Sequence, residues 1–178
     1  GLDSDIVLGT ALVQMYSESK VLLDAMIFLI GMPKHNSITC LGFLSACAKH
    51  RALLDGMLIH TYMIDMGYEF SVIIVTAILT MYGKCGSLEE STRIFRNTFK
   101  PDIILLTTMM ASYAMNNKVK NALDLFDKVC QTRLKPDEVT FINVLSMCSH
   151  AGMVEEGRLF FSSMSRDHNI KPNVYHYN

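Results

Sequence analysis

Apolar residues along this chain fall into two alternating kinds of segment. One kind is amphipathic: Val119, Ala122, Leu123, Phe126 and Val129 form an i, i+3, i+4, i+7 stripe, and Met153, Gly157, Phe160, Phe161 and Met164 form another. That period predicts helices with one packed face and one solvated face. The other kind is apolar nearly all round, as in Val139-Thr140-Phe141-Ile142-Asn143-Val144-Leu145. A helix of that composition must be packed on most sides, as in the inner layer of a stack of helix pairs. Gly86 and Gly152 fall between a segment of the second kind and one of the first. A residue that tolerates positive φ is useful at such a turn.

The pairs recur. All four prolines sit at the seams: Pro101 and Pro136 in identical Lys-Pro-Asp triplets, Pro172 in Lys171-Pro172-Asn173, and Pro33 in Met32-Pro33-Lys34-His35-Asn36. Proline lacks a backbone donor and biases the residue before it away from helix, so these sites separate helices. Aligning the seams predicts the end of a preceding repeat at 1–5, units at 6–36, 37–71, 72–102, 103–137 and 138–173, and the start of a further repeat at 174–178. Met15-Tyr16 returns as Met81-Tyr82, Leu44-Ser45-Ala46-Cys47 returns as Leu145-Ser146-Met147-Cys148, and Gly56 matches Gly157 at the same offset. Such periodicity marks stacked supersecondary units. The expected fold is all-α, a right-handed superhelical solenoid of helix-turn-helix repeats.

Composition narrows the chemistry. Half of the 178 residues are hydrophobic, and the formal net charge is −1. That charge supplies no global basic field, so a nucleic-acid ligand would have to be held by locally placed groups. The five cysteines (40, 47, 85, 130 and 148) are an odd count without a Cys-x-x-Cys pair and read as small buried apolar residues. The thirteen methionines read as filling between stacked units. The apolar stretches fall short of about 18 residues, so no membrane span is expected. No targeting segment is seen at Gly1, and the chain reads as a slice of a longer protein.

The Lys-Pro-Asp seams, the run Met81-Tyr82-Gly83-Lys84-Cys85-Gly86 and the alternating unit lengths resemble the pentatricopeptide repeat family, and within it the plant PLS subclass of mixed short, long and standard repeats. By this resemblance 6–36 and 72–102 are short-type, 37–71 and 138–173 long-type, and 103–137 standard-type. The chain departs from the pattern in two places. A standard repeat is missing between 6–36 and 37–71, and Lys20 and Arg51 replace the usual inter-helix glycine.

The resemblance implies single-stranded RNA binding, one base per repeat, read by the fifth residue of the first helix together with the last residue of the repeat. Those pairs are Thr10 with Asn36, Leu41 with Ser71, Thr76 with Asp102, Thr107 with Asp137, and Ile142 with Asn173. Aspartate as an acceptor suits guanine or uracil, asparagine suits adenine or cytosine, and threonine at the fifth position goes with purines in the family. The expected ligand is about 5′-ANGGN-3′. The second residue of each unit, Val7, Ile38, Ile73, Ile104 and Val139, is implied to pack on base faces, with Tyr175 at the same place in the next unit. Lys49 and Lys84 are implied phosphate contacts, and His150 shares their position. Taken singly, Asp102 and Asp137 also read as caps of the helices that follow them.

Neither His-x-Glu nor Pro-Cys-x-x-Cys occurs, so the zinc deaminase chemistry that often follows such arrays is absent from these residues. No phosphate loop or HExxH motif is present either. The slice is expected not to be an enzyme and to need no cofactor, metal or small-molecule substrate. The resemblance places the parent protein in a mitochondrion or chloroplast, the former favoured, as an RNA editing or processing factor working with an editing deaminase or accessory editing proteins. The alternative reading is an α-solenoid scaffold for protein–protein interaction.

Overall fold

A computed structural model of the chain describes residues 11, 15, 22–31, 37–68, 71–131 and 134–177. Their regular structure is helical: α1 (Leu22–Gly31), α2 (Ser37–His50), α3 (Leu53–Asp65), α4 (Val72–Lys84), α5 (Leu88–Asn97), α6 (Ile103–Met115), α7 (Val119–Gln131), α8 (Glu138–Ala151), α9 (Val154–Arg166) and a 3-10 turn at Val174–His176. No strand occurs among the described residues. The helices divide into two compact units, Gly1–Ile94 and Phe95–Asn178.

One turn geometry recurs between first and second helices. Ala52, Ser87, Lys118 and Met153 each donate a backbone N–H to the carbonyl five residues earlier (Cys47, Tyr82, Tyr113 and Cys148) at 2.9–3.0 Å. This 6→1 bond closes a helix end when the intervening residue is left-handed. Arg51, Gly86, Asn117 and Gly152 supply that residue, with φ of 55°, 80°, 57° and 67°. The replacement of glycine at Arg51 therefore leaves the turn intact and puts a side chain into a backbone state that glycine adopts at lower cost.

In the first unit, Cys40, Phe43, Leu44 and Cys47 of α2 are completely buried against Ile59 and Met63 of α3 and Ile78 and Met81 of α4. Gly56 lies so close to the Met81 side chain that a Cβ there would overlap its sulfur. In the second unit, Phe126 of α7 meets Phe141 of α8 and Phe160 of α9 edge-on, with centroids 5.5 Å and 5.2 Å apart. T-shaped aromatic contacts of this kind add to simple burial. They tie the second helix of one repeat to both helices of the next.

The helices α1, α3 and α7 differ in their exposed faces. On α7 the Ala122, Leu125, Phe126 and Val129 side of the helix is buried, whereas α3 exposes Leu54, Met57, Leu58 and Ile64 and α1 exposes Ile27 and Ile30. The cysteines depart from a uniformly buried set: Cys40, Cys47 and Cys148 are buried, Cys85 is half-buried and Cys130 is exposed. Val129 takes the core position on α7, which turns its neighbour Cys130 outward. Burial, aided by the charge of Asp55, pushes the Cys47 thiol up to about 12, so it behaves as a small apolar group. Methionine is similarly split, with Met63, Met81, Met109 and Met164 in the core and Met57, Met66 and Met115 exposed.

Candidate nucleic-acid interface

The first helices α2, α4, α6 and α8 each open with a branched apolar residue in an unusual setting. Ile38, Ile73, Ile104 and Val139 are 62%, 68%, 54% and 56% exposed. Each is the second residue of its helix, and each is followed by a buried one: Thr39, Ile74, Leu105 and Thr140. Tyr175, at the same register in the 3-10 turn, is 68% exposed. A large apolar side chain repeatedly left in water at one register needs a reason that core packing does not supply. Val7 lies outside the described residues, as do Thr10 and Asn36.

Asp102, Asp137 and Asn173 cap the helical turns that follow them. Asp102 Oδ1 accepts from the Leu105 N–H at 2.9 Å, and Asp137 Oδ1 accepts from the Thr140 N–H at 2.8 Å. Capping occupies one carboxylate oxygen of each aspartate, so base contact through the other stays open. Ser71 precedes α4 without a side-chain cap. Asn173 Oδ1 accepts from the Tyr175 N–H at 3.1 Å, and its Nδ2 donates to Glu138 Oε2 at 3.2 Å. One amide hydrogen of Asn173 is thus held within the protein.

The fifth residues differ in state. Thr76 Oγ1 is buried and has no hydrogen-bond partner, a condition that costs free energy unless a ligand or water satisfies it. Thr107 is 7% exposed and its hydroxyl lies 3.1 Å from that of Thr140. Leu41 and Ile142 are half-buried and carry no polar side-chain atom; Leu41 packs against the first unit's core. Thr107 and Asp137 are joined through Thr140, whereas Thr76 and Asp102 belong to different compact units.

Sequence reasoning passed over Thr140. Its signal was the Asp-x-x-Thr spacing, a capping-box pattern. Thr39 occupies the same register in α2 and is also completely buried.

Lys49 and Lys84 are exposed in the last turns of α2 and α4 and form no ion pair with a described residue. In the second unit an open groove of about 590 Å³ runs between α6 and α8, where Asn117, Asn143, Ser146 and His150 provide its polar lining. His150 Nδ1 lies 3.5 Å from Ser146 Oγ. Among the described residues no group of three or more His, Cys, Asp or Glu could hold a metal ion, and no helix is long and apolar enough to cross a membrane.

Paired helices, one recurrent turn and one recurrent set of helix-start residues define an all-α helical-repeat protein. The PPR repeat family model matches residues 101–150 and the PPR repeat model matches residues 139–168. The chain belongs to the pentatricopeptide repeat proteins. It is 39% identical over 142 residues to the pentatricopeptide repeat-containing protein CRR2, chloroplastic, of Arabidopsis thaliana, covering 80% of this chain and 22% of that one. A mitochondrial pentatricopeptide repeat-containing protein of the same plant is 32% identical over 181 residues, covering 98% and 26%. The chain thus spans about a quarter of the length of the curated relatives it matches. Among solved structures, maize PPR10 superposes with a TM-score of 0.76 at 20% identity over 97% of this chain and 26% of its own. PPR10 has also been solved in complex with an 18-nucleotide psaJ RNA element.

Proposed function

We propose that this chain binds single-stranded RNA, one base per repeat, as the specificity part of a plant organellar RNA editing or processing factor of the PLS subclass. The observation that carries the reading is the exposure of Ile38, Ile73, Ile104 and Val139, each the second residue of its helix. Side chains of this kind, one per repeat at the start of a first helix, suit the faces of successive bases. Stacking and packing of that sort contribute on the order of 1–3 kcal/mol per base. The buried, unpartnered Thr76 hydroxyl and the uncapped oxygens of Asp102 and Asp137 support base-edge recognition beside them.

The register assigns adenine to Thr10 with Asn36, and guanine both to Thr76 with Asp102 and to Thr107 with Asp137. The bases opposite Leu41 with Ser71 and Ile142 with Asn173 are unread, so the ligand is about 5′-ANGGN-3′. Lys49 and Lys84 are positioned to meet phosphates, with His150 in the equivalent place. The chain itself carries no reaction; an editing deaminase or accessory editing proteins would act on the bound transcript. The relatives named chloroplastic and mitochondrial support an organellar site of action.

The test is fluorescence anisotropy on RNAs carrying 5′-ANGGN-3′, with the third or fourth position changed to U, using wild type and Thr107→Asn. The expected result is a fourth-position preference that moves from G toward U in the variant, with the third position unaltered. Failure of both proteins to distinguish the RNAs would overturn the base assignments. A second reading, a protein-binding scaffold, is favoured by the exposed apolar residues of α1 and α3 (Ile27, Ile30, Leu54, Leu58 and Ile64). On that reading binding does not track RNA sequence.

A further inference from the structure

In the 103–137 repeat, the two side chains assigned to one base are bridged by a third residue that touches no solvent. Thr140 is 0% exposed in the first turn of α8. Its hydroxyl donates to Asp137 Oδ1 at 2.6 Å, accepts from the Asp137 backbone N–H at 3.4 Å, and lies 3.1 Å from Thr107 Oγ1. A hydroxyl has one proton to donate and two lone pairs. The short bond to the carboxylate claims the proton, because charge-assisted hydrogen bonds are the stronger ones. The Asp137 N–H takes one lone pair. The remaining lone pair can receive only a donor, so the bond to Thr107 runs from the Thr107 hydroxyl to Thr140.

The consequence is chemical. Thr107 has committed its proton and can only accept, and the uncapped Asp137 oxygen can only accept. Guanine offers two adjacent donors on its Watson–Crick edge, N1–H and the 2-amino group. Adenine, cytosine and uracil each set an acceptor beside their donor. Two acceptors side by side therefore match guanine and meet adenine N1 with a lone pair.

We propose that Thr140 is a specificity-positioning residue, orienting Thr107 and Asp137 as a paired acceptor that selects guanine against adenine at the fourth base. The inference rests on the RNA-reading function proposed above. The 72–102 repeat provides the contrast. The hydroxyl of Thr76, its fifth residue, has no partner. Thr76 keeps its proton, can donate to adenine N1 as well as accept, and discriminates less between the purines.

The experiment is anisotropy on the 178-residue chain with RNAs carrying G or A at the fourth position of 5′-ANGGN-3′, and a second pair varied at the third position. Thr140→Val should lower the fourth-position G-over-A ratio by about 3- to 10-fold, the worth of one hydrogen bond, while the third-position ratio stays put. Thr140→Ser should keep the wild-type ratio. A purely structural role for Thr140 would weaken all the RNAs equally, and that result overturns the inference. So does a wild-type guanine preference left unchanged by Thr140→Val. If the wild type shows no base preference, the RNA-reading proposal falls and takes this inference with it.

Discussion

Arg51 offers a clean measurement of how strongly the repeat turn constrains its backbone. The 6→1 bond from Ala52 N–H to Cys47 O holds Arg51 at φ 55°, and the same bond in two other repeats is served by Gly86 and Gly152. A non-glycine residue in this region brings Cβ toward the following carbonyl oxygen, at a cost of about 1–2 kcal/mol. Arg51→Gly removes that cost but gives the unfolded chain extra freedom, which offsets about 0.5–1 kcal/mol. The net expectation is stabilisation by about 0.5–1 kcal/mol. For a chain of this size that raises Tm by roughly 2–4 °C per kcal/mol. The reciprocal change, Gly152→Ala, isolates the backbone contribution: a Cβ at Gly152 would meet nothing within 4 Å, and its φ is 67°. It should destabilise by about 1 kcal/mol. Urea melts followed by helix circular dichroism report both, with unchanged slope showing that the unfolded state is the same. A Gly152→Ala protein as stable as wild type, or an Arg51→Gly protein less stable, would refute the claim that turn strain is what these positions feel.

Gly56 and Gly157 share one register but should respond oppositely to alanine. At Gly157 the nearest atom to a new Cβ is Cys148 Cβ at 3.4 Å, so better helix propensity should stabilise by about 0.5–1 kcal/mol. At Gly56 the new Cβ would displace the fully buried Met81 side chain, and overpacking costing about 1–3 kcal/mol should outweigh that gain in the same melts. His60, whose Nδ1 lies 3.0 Å from the Tyr82 hydroxyl, has its pKa lowered chiefly by burial, with Arg93 adding to the effect. The unfolded chain therefore takes up this proton near pH 6.5 and the folded one only at lower pH, so stability should decline as pH falls below about 6.5. His60→Gln should flatten that part of a Tm-against-pH profile; an unchanged slope would assign the proton uptake elsewhere. Thr107→Asn should shift the fourth-base preference from G toward U, and Thr140→Val should erode G over A there, both read by anisotropy.

Much of the architecture was legible in the order of residues because each helix carries its own boundary and period. The apolar run at Val139–Leu145 and the stripe from Val119 to Val129 each predict a helix, and α8 and α7 are those helices. Pro101 and Pro136 predict breaks, and α6 and α8 begin just beyond them. These are local properties: a proline lacks its donor, and a 3.6-residue period sets its face, whatever the rest of the chain does. The recurrence of Ile38, Ile73, Ile104 and Val139 at one register was visible too. Their exposure was implied only by the family resemblance, since composition and period alone do not tell an exposed isoleucine near a helix start from a buried one.

Tertiary structure decided what depends on neighbours distant in sequence. Cys130 and Val129 are adjacent apolar residues, and only packing against the next repeat sends one inward and the other out. Leu54 and Leu58 look like core leucines until α3 is placed, and then they face solvent. Arg51 looks like a flaw in the turn, yet the 6→1 bond forms around it, because one hydrogen bond and the packing of two helices exceed the strain of one residue. Thr107 and Thr140, thirty-three residues apart, show no relation in sequence. Stacking one repeat on the next brings their hydroxyls within a hydrogen bond, and the direction of that bond follows from counting protons at a site the sequence alone could not assemble.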